Sequence, residues 1–321
     1  MKLEEIHNIS VLGAGIMGHG IAQSFLMGGY PVMLYDIQES ILEMAKSHIE
    51  KNLELFYRSG LIGKEDIESA LRRLSTTVDL KRAVEGNDFI VEAALEDLAL
   101  KQKLFEEVES FCGKDAIMAS NTSSLTLKEI GIRVKNRERL VTTHWFNPPH
   151  IVPTVEVVKS EWTDDETMET AYGLLKKIGK MPVKINFEIP GFLVNRIQMA
   201  MYREIVDLYE KGVASAADID RAIKGSIGFR LASIGPLLTM DLAGLQLFQK
   251  VYGNLAPDLQ SSTEIPRSLQ DMVSEGRDGI KSGKGYYDYA VDFSGGDFDE
   301  VIKKRDQEFL NRLKHLYRES E

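Results

Sequence analysis

Along the first half of the chain, short runs of β-branched and aliphatic residues alternate with longer stretches in which apolar positions return every three or four residues. Runs at residues 9–12, 32–35, 89–91, 117–119, 140–143 and 154–158 are too short for amphipathic helices and read as buried strands. Their alternation with helical stretches predicts a mostly parallel sheet with crossover helices. Residues 163–178 read as a helix with acids in its first turn, Thr163 placed as its N-cap and Gly179 placed to end it.

After Glu188-Ile189-Pro190-Gly191 the rhythm changes. Leu193, Ile197, Met201, Ile205 and Leu208 recur at helical spacing until Gly212 stops the run, and helical patterning continues to a last stretch over 301–316 in which Val301, Ile302, Phe309, Leu313 and Leu316 share a face. The chain therefore divides into an α/β domain over residues 1–188 and an all-α domain over 189–321, the two-domain organisation that 321 residues lead one to expect.

Hydrophobic residues at 43% and charged residues at 27% are the balance of an ordinary globular protein, which argues against disorder. A formal net charge of −10 works against binding nucleic acid or an anionic membrane. The one cysteine, Cys112, excludes an intrachain disulfide and a cysteine-based zinc site. Two acids stand among the first residues, where a signal peptide would be basic and then apolar, and no run reaches the roughly 18 apolar residues of a membrane span. The expected location is the cytoplasm and the expected partner a small molecule.

Gly13-Ala14-Gly15-Ile16-Met17-Gly18 matches G-x-G-x-x-G, and it follows a predicted strand and opens a helical stretch. Gly13 permits the tight turn, Gly15 lets the backbone approach a pyrophosphate, and Gly18 allows close helix packing, with Ile16 and Met17 completing the dinucleotide-binding loop. The second strand runs into Asp36, near the offset at which an acid accepts hydrogen bonds from the adenosine ribose. A 2′-phosphate there would meet like charge, and Ile37 and Gln38 supply no arginine for it, so the cofactor reads as NAD rather than NADP.

Of six histidines, His144 stands at the end of a predicted strand, where an open α/β sheet has its ligand crevice. Glu156 lies in the next strand, so a hairpin-like return would bring its carboxylate to the imidazole and fix the tautomer. A neutral imidazole is suited to taking a hydroxyl proton near pH 7 while hydride leaves carbon, and this chemistry needs no metal. From spacing alone, a hydrogen-bonded structural histidine is an equal reading.

Taken in order, Gly13 to Gly18, Ser120-Asn121-Thr122-Ser123-Ser124-Leu125, His144-Trp145-Phe146-Asn147-Pro148-Pro149, Val155-Glu156-Val157-Val158 and Pro190-Gly191-Phe192-Leu193-Val194-Asn195-Arg196 resemble the L-3-hydroxyacyl-CoA dehydrogenase family over nearly the whole chain. The resemblance implies a Rossmann-like N-terminal domain, NAD as cofactor and a homodimer made largely through the helical domain. It makes His144 the general base and Glu156 its orienting partner, with Ser123 and Asn195 hydrogen-bonding the reacting oxygen. It also places Glu96, Lys101, Ser123 and Asn147 along the cofactor site, although spacing by itself would make Lys101 a solvated helix charge.

One segment departs from the family pattern. Where acyl-CoA members carry Gly-Phe-Pro-Met-Gly-Pro, this chain reads Gly228-Phe229-Arg230-Leu231-Ala232-Ser233-Ile234-Gly235-Pro236, which resembles the branch containing L-gulonate 3-dehydrogenase, lambda-crystallin and carnitine dehydrogenase. The planar fork of Arg230 would bind a free carboxylate, or it pairs with an acid at the surface. A short-chain 3-hydroxyacyl-CoA leads as substrate, followed by a free 3-hydroxy acid or another small hydroxy-carboxylate. A crystallin-like structural role is the reading from another class.

Overall fold

A computed structural model of the protein describes residues 1–293 and 298–316. It divides into two units, Met1–Val194 with Phe309–Leu313, and Asn195–Glu308 with Lys314–Glu321.

In the first unit the strands are β1 (Ile9–Leu12), β2 (Val32–Tyr35), β3 (Leu74–Thr77), β4 (Phe89–Glu92), β5 (Ile117–Ser120), β6 (Leu140–Trp145), β7 (Thr154–Val158) and β8 (Met181–Ile185). The helices are α1 (Gly18–Met27), α2 (Glu39–Arg58), α3 (Lys64–Arg72), α4 (Leu80–Val84), α5 (Leu98–Phe111), α6 (Leu127–Ile130) and α7 (Asp165–Lys177). Among the described residues one sheet runs in the order β3-β2-β1-β4-β5-β6-β7-β8. From β3 to β6 neighbours are parallel; β7 then turns back antiparallel to β6, and β8 pairs parallel with β7. The strand order reverses between β1 and β4, which opens a crevice beyond their carboxyl ends.

The six predicted strands are present, several a residue or two longer than expected, and β1, β4, β5 and β6 are buried at every position. Both faces are covered, because α1, α2 and α7 pack Ile21, Phe25, Leu42, Ile49 and Leu174 on one side while α5 and α6 pack Phe105, Val108, Leu127 and Ile130 on the other. Burying each such side chain contributes roughly 1.5–3 kcal/mol. In α2 the buried residues Leu42, Ala45, Ile49, Leu53 and Phe56 follow helical spacing and set its inner face.

Strands β3 and β8 escaped the hydrophobic pattern because they are the two edges of the sheet. Leu-Ser-Thr-Thr and Met-Pro-Val-Lys-Ile are only partly buried, and an edge tolerates Pro182 and Lys184 where a central strand would not. The helix predicted from Thr163 is α7, but its N-cap is Asp164, whose carboxylate accepts from Thr167 N at 2.6 Å. Thr163 is drawn inward instead, donating its hydroxyl to Leu140 O at 2.7 Å. Gly179 follows the helix at φ 79°.

The second unit contains α8 (Val194–Glu210, its first residue in the first unit), α9 (Ala216–Gly225), α10 (Ile227–Leu231), α11 (Pro236–Ala243), α12 (Leu245–Leu255), α13 (Arg267–Ser274), α14 (Tyr289–Asp292) and α15 (Phe298–Leu316), of which residues 309–313 group with the first unit. Gly212, at φ 68°, ends α8 as its position predicted. Among described residues 195–308, Met272 is the one buried hydrophobic side chain, so the apolar stripe of α8 is not a monomer core. Among the described residues no helix is long and apolar enough to cross a membrane.

Candidate active site

The glycine loop leaves β1 at the crevice and enters α1. Gly13 has φ 99°, and a Cβ on Gly18 would stand 1.7 Å from Gly13 O, so both positions require glycine. A Cβ on Gly15 would meet nothing within 4 Å, leaving open space against the bare backbone. Asp36 stands at the end of β2, where its carboxylate accepts from Ala14 N at 2.9 Å and Gln38 N at 3.2 Å. It therefore braces the loop and retains lone pairs for ribose hydroxyls. Ile16, Ile37 and Leu95 are each more than 70% exposed beside the ends of β1, β2 and β4, an apolar border of the kind a purine ring would cover. These residues fit a dinucleotide with a free adenosine ribose.

Beyond β4 a buried network supports the next loop. Lys101 is wholly buried, its Nζ 2.6 Å from Glu92 Oε1 and 3.3 Å from Glu96 Oε2, so it is not a solvated helix charge. Its contact with Glu96 joins it to the loop that carries Ser123. Ser120 donates to the other oxygen of Glu92 at 2.6 Å. Glu96 Oε1 accepts from Thr122 Oγ1, Ser123 N, Ser124 N and Ser124 Oγ at 2.6–3.1 Å. Burial opposes the charge on Glu96, but these hydrogen bonds and Lys101 outweigh it and hold the carboxyl down at about 2. The loop carrying Ser123 is thus fastened to an anion that stays ionised.

Across the seam between β6 and β7 the register pairs His144 with Glu156. Both are buried, and Glu156 Oε2 lies 2.7 Å from His144 Nδ1. An ionised carboxylate can only accept, so Nδ1 carries the proton and Nε2 presents its lone pair. Ser123 Oγ lies 3.1 Å from Nε2 and donates to it. The second oxygen of Glu156 accepts from Leu193 N at 3.1 Å and Val194 N at 2.8 Å. The rings of Phe146 and Phe192 stand 4.6 and 5.4 Å from the imidazole. A base with its tautomer set, screened by aromatic rings, opens towards Ser123.

Asn147 is exposed, two residues past the end of β6. Asn195 is the second residue of α8 and Arg230 is exposed in α10, so both lie in the second unit.

Sequence reasoning passed over Asn121, whose Oδ1 accepts from Trp145 N at 2.9 Å and ties the Ser123 loop to the His144 strand. It also passed over Lys180, whose buried Nζ donates to Pro149 O at 2.6 Å and Val152 O at 3.0 Å beneath the loop that carries Asn147. A polar residue directly after a buried strand was the available signal for Asn121; nothing in the local pattern marked Lys180.

The family model described as 3-hydroxyacyl-CoA dehydrogenase, NAD binding domain, matches residues 8–188, and that for the C-terminal domain of the same family matches 191–289. The chain is 34% identical over 285 residues to the 5-formyl-3-hydroxy-2-methylpyridine 4-carboxylate 5-dehydrogenase of Mesorhizobium japonicum, covering 88% of this chain and 91% of that one. It is 35% identical over 291 residues to the mitochondrial hydroxyacyl-coenzyme A dehydrogenase of Homo sapiens, with the same coverage of 88% and 91%. A crystal structure of a 5-formyl-3-hydroxy-2-methylpyridine 4-carboxylic acid 5-dehydrogenase, an NAD+-dependent dismutase, superposes with a TM-score of 0.88 at 30% identity, covering 97% of this chain and 98% of that one.

Proposed function

The chain belongs to the 3-hydroxyacyl-CoA dehydrogenase family, and from that premise we propose that it interconverts the 3-hydroxyl and 3-keto groups of a short 3-hydroxyacyl-CoA of the 3-hydroxybutyryl kind, with NAD as cofactor. The observation that carries this reading is the array of Ser123, His144 and Glu156 at hydrogen-bonding distance beside the glycine loop's crevice.

When bound, NAD supplies the acceptor for the substrate's hydride. The chain's own residues manage the proton. His144 Nε2 takes it from the 3-hydroxyl, while Glu156 holds Nδ1–H and balances the imidazolium that forms. Ser123 moves its donor from Nε2 to the substrate oxygen, and the family pattern adds Asn195 as a second donor there. Glu96 keeps the Ser123 loop in place, and the rings of Phe146 and Phe192 against the imidazole keep water from it.

A second reading, in which the substrate is a free hydroxy-carboxylate, is favoured by Arg230 and by the likeness along almost the whole chain to a dehydrogenase of a pyridine carboxylate. The α2 cations Lys46, Lys51 and Arg58 bear on the choice, because CoA phosphates need cationic partners: Lys46 pairs with Glu43 and Arg58 with Glu54, while the exposed Lys51 makes no ion pair among the described residues. Following NADH oxidation with acetoacetyl-CoA and with a panel of free keto and formyl acids, in wild type and Arg230→Ala, separates the two. Thioester turnover that survives the substitution supports the acyl-CoA reading. Turnover confined to free acids and lost in the variant replaces it with the second.

The protein acts as a homodimer in the cytoplasm in this proposal. Support for the dimer comes from the uncovered apolar side chains of the second unit, among them Phe229, Leu237, Leu242 and Tyr252, each at least 70% exposed. Light scattering after size exclusion tests it, and a monomer across the micromolar range would refute it. The location rests on the absence of any cysteine pair.

A further inference from the structure

Phe192 is the one residue other than glycine with positive φ among the described residues, at 48°, and it follows Gly191 at 76°. Pro190 and Gly191 form a turn closed by Phe192 N donating to Ile189 O at 3.0 Å, and the positive φ of Phe192 carries the reversal on into the chain that follows. A bulky side chain rarely adopts this conformation, and it persists where the surroundings impose it. Here the reversal does two things. It turns the next two amides, of Leu193 and Val194, onto Glu156 Oε1 at 3.1 and 2.8 Å. It also buries the Phe192 ring against His144.

Glu156 is wholly buried. Its Oε2 serves His144, and its Oε1 accepts the two amides. A buried carboxylate with one oxygen unsatisfied would turn to find another donor or take up a proton, and either change releases Nδ1 of the base.

We propose that Phe192 is a positioning residue whose left-handed backbone, rather than the bulk of its ring, holds Glu156 aligned on His144. The inference rests on His144 being the base, and it goes further by assigning the source of that alignment to one strained residue.

The test compares Phe192→Gly with Phe192→Val. Glycine adopts positive φ freely but removes the whole side chain, whereas valine keeps part of the apolar volume and, being β-branched, resists that backbone. The expected order is inverted with respect to size. The glycine variant keeps kcat within about tenfold of wild type, and the valine variant loses about a hundredfold or more, with KM little changed in both, since a general base contributes roughly 10²–10⁴. Valine equal to or better than glycine would overturn the proposal, because packing would then be the function of Phe192. If circular dichroism finds the valine protein unfolded, Phe192→Asn against Phe192→Ala repeats the contrast, asparagine being the better tolerated in this region. Asparagine is then expected to be the more active, and alanine matching it would overturn the claim. His144→Ala, measured alongside, separates the two layers: full activity there removes the base itself and the proposal with it, whereas loss there combined with a size-ordered Phe192 series removes the proposal and leaves the base.

Discussion

His144 and Glu156 face each other across the antiparallel seam between β6 and β7, with Nδ1 and Oε2 2.7 Å apart. In an antiparallel pair residues opposite one another share a face, so the return of the chain through residues 146–153 delivers the carboxylate to the imidazole. The seam lies beyond the last parallel strand, at the carboxyl end where the crevice opens.

Glu156→Gln should therefore lower kcat by roughly 10²–10⁴, because an amide can present a donor to Nδ1 and does not balance an imidazolium. His144→Ala should lose at least as much. Neither substitution touches the glycine loop, so NADH titrated by fluorescence should bind both variants as it binds wild type. A glutamine variant with wild-type turnover would show that the pair is structural.

Asp36→Ala removes the acceptor proposed for the ribose and also the brace on Ala14 N. Hydrogen bonds to a charged group contribute about 1.5–3 kcal/mol, so NADH affinity should fall by roughly ten- to a hundredfold. NADPH affinity should fall less or rise, since the like charge facing a 2′-phosphate is gone. Titrating both nucleotides checks this, and an unchanged ratio of affinities would count against Asp36 as the ribose contact.

The central strands and the pairing of His144 with Glu156 were legible because both follow from short-range periodicity: continuous burial in one case, opposite positions across a return in the other. The edge strands were not, because β3 and β8 lack the apolar runs that burial on two faces demands. Lys101 reads from its helix as a surface charge, and its burial depends on Glu92, which reaches it from a neighbouring strand. Phe192 stands in the sequence only as part of the Pro190-to-Arg196 motif, with no role of its own. Its contribution lies in its φ, which no hydrophobic pattern encodes.

Glu96→Gln should uncouple the Ser123 loop. With its carboxyl held at about 2 against 4.5 when unfolded, Glu96 contributes stability that is fully present above about pH 4.5 and is lost as pH falls towards 2. The variant should show a lower kcat at neutral pH and a shallower decline of thermal midpoint between pH 4.5 and 3 than wild type. Parallel declines in the two proteins would mean that the charge on Glu96 does not stabilise the fold.

Lys180 gives a pH dependence of the same sign in a higher range, but from a penalty relieved rather than from a contribution lost. Burial pushes its ammonium down to about 7, although Pro149 O, Val152 O and the Trp145 ring 5.3 Å away all receive it. Below about 7 the amine is protonated in both folded and unfolded chains, and the penalty of burying that charge is fully present. Between 7 and 10.5 the unfolded chain binds the extra proton, so stability rises with pH. Lys180→Met removes the titrating group together with the donor to both carbonyls. The stability of wild type relative to this variant should therefore grow from pH 7 to pH 10, by up to about 4 kcal/mol at 1.36 kcal/mol per unit. Urea unfolding of the two proteins at pH 6, 8 and 10 measures the difference. A constant difference across that range would mean that Lys180 stays charged beneath the loop, with the two carbonyls and the Trp145 face compensating its burial in full.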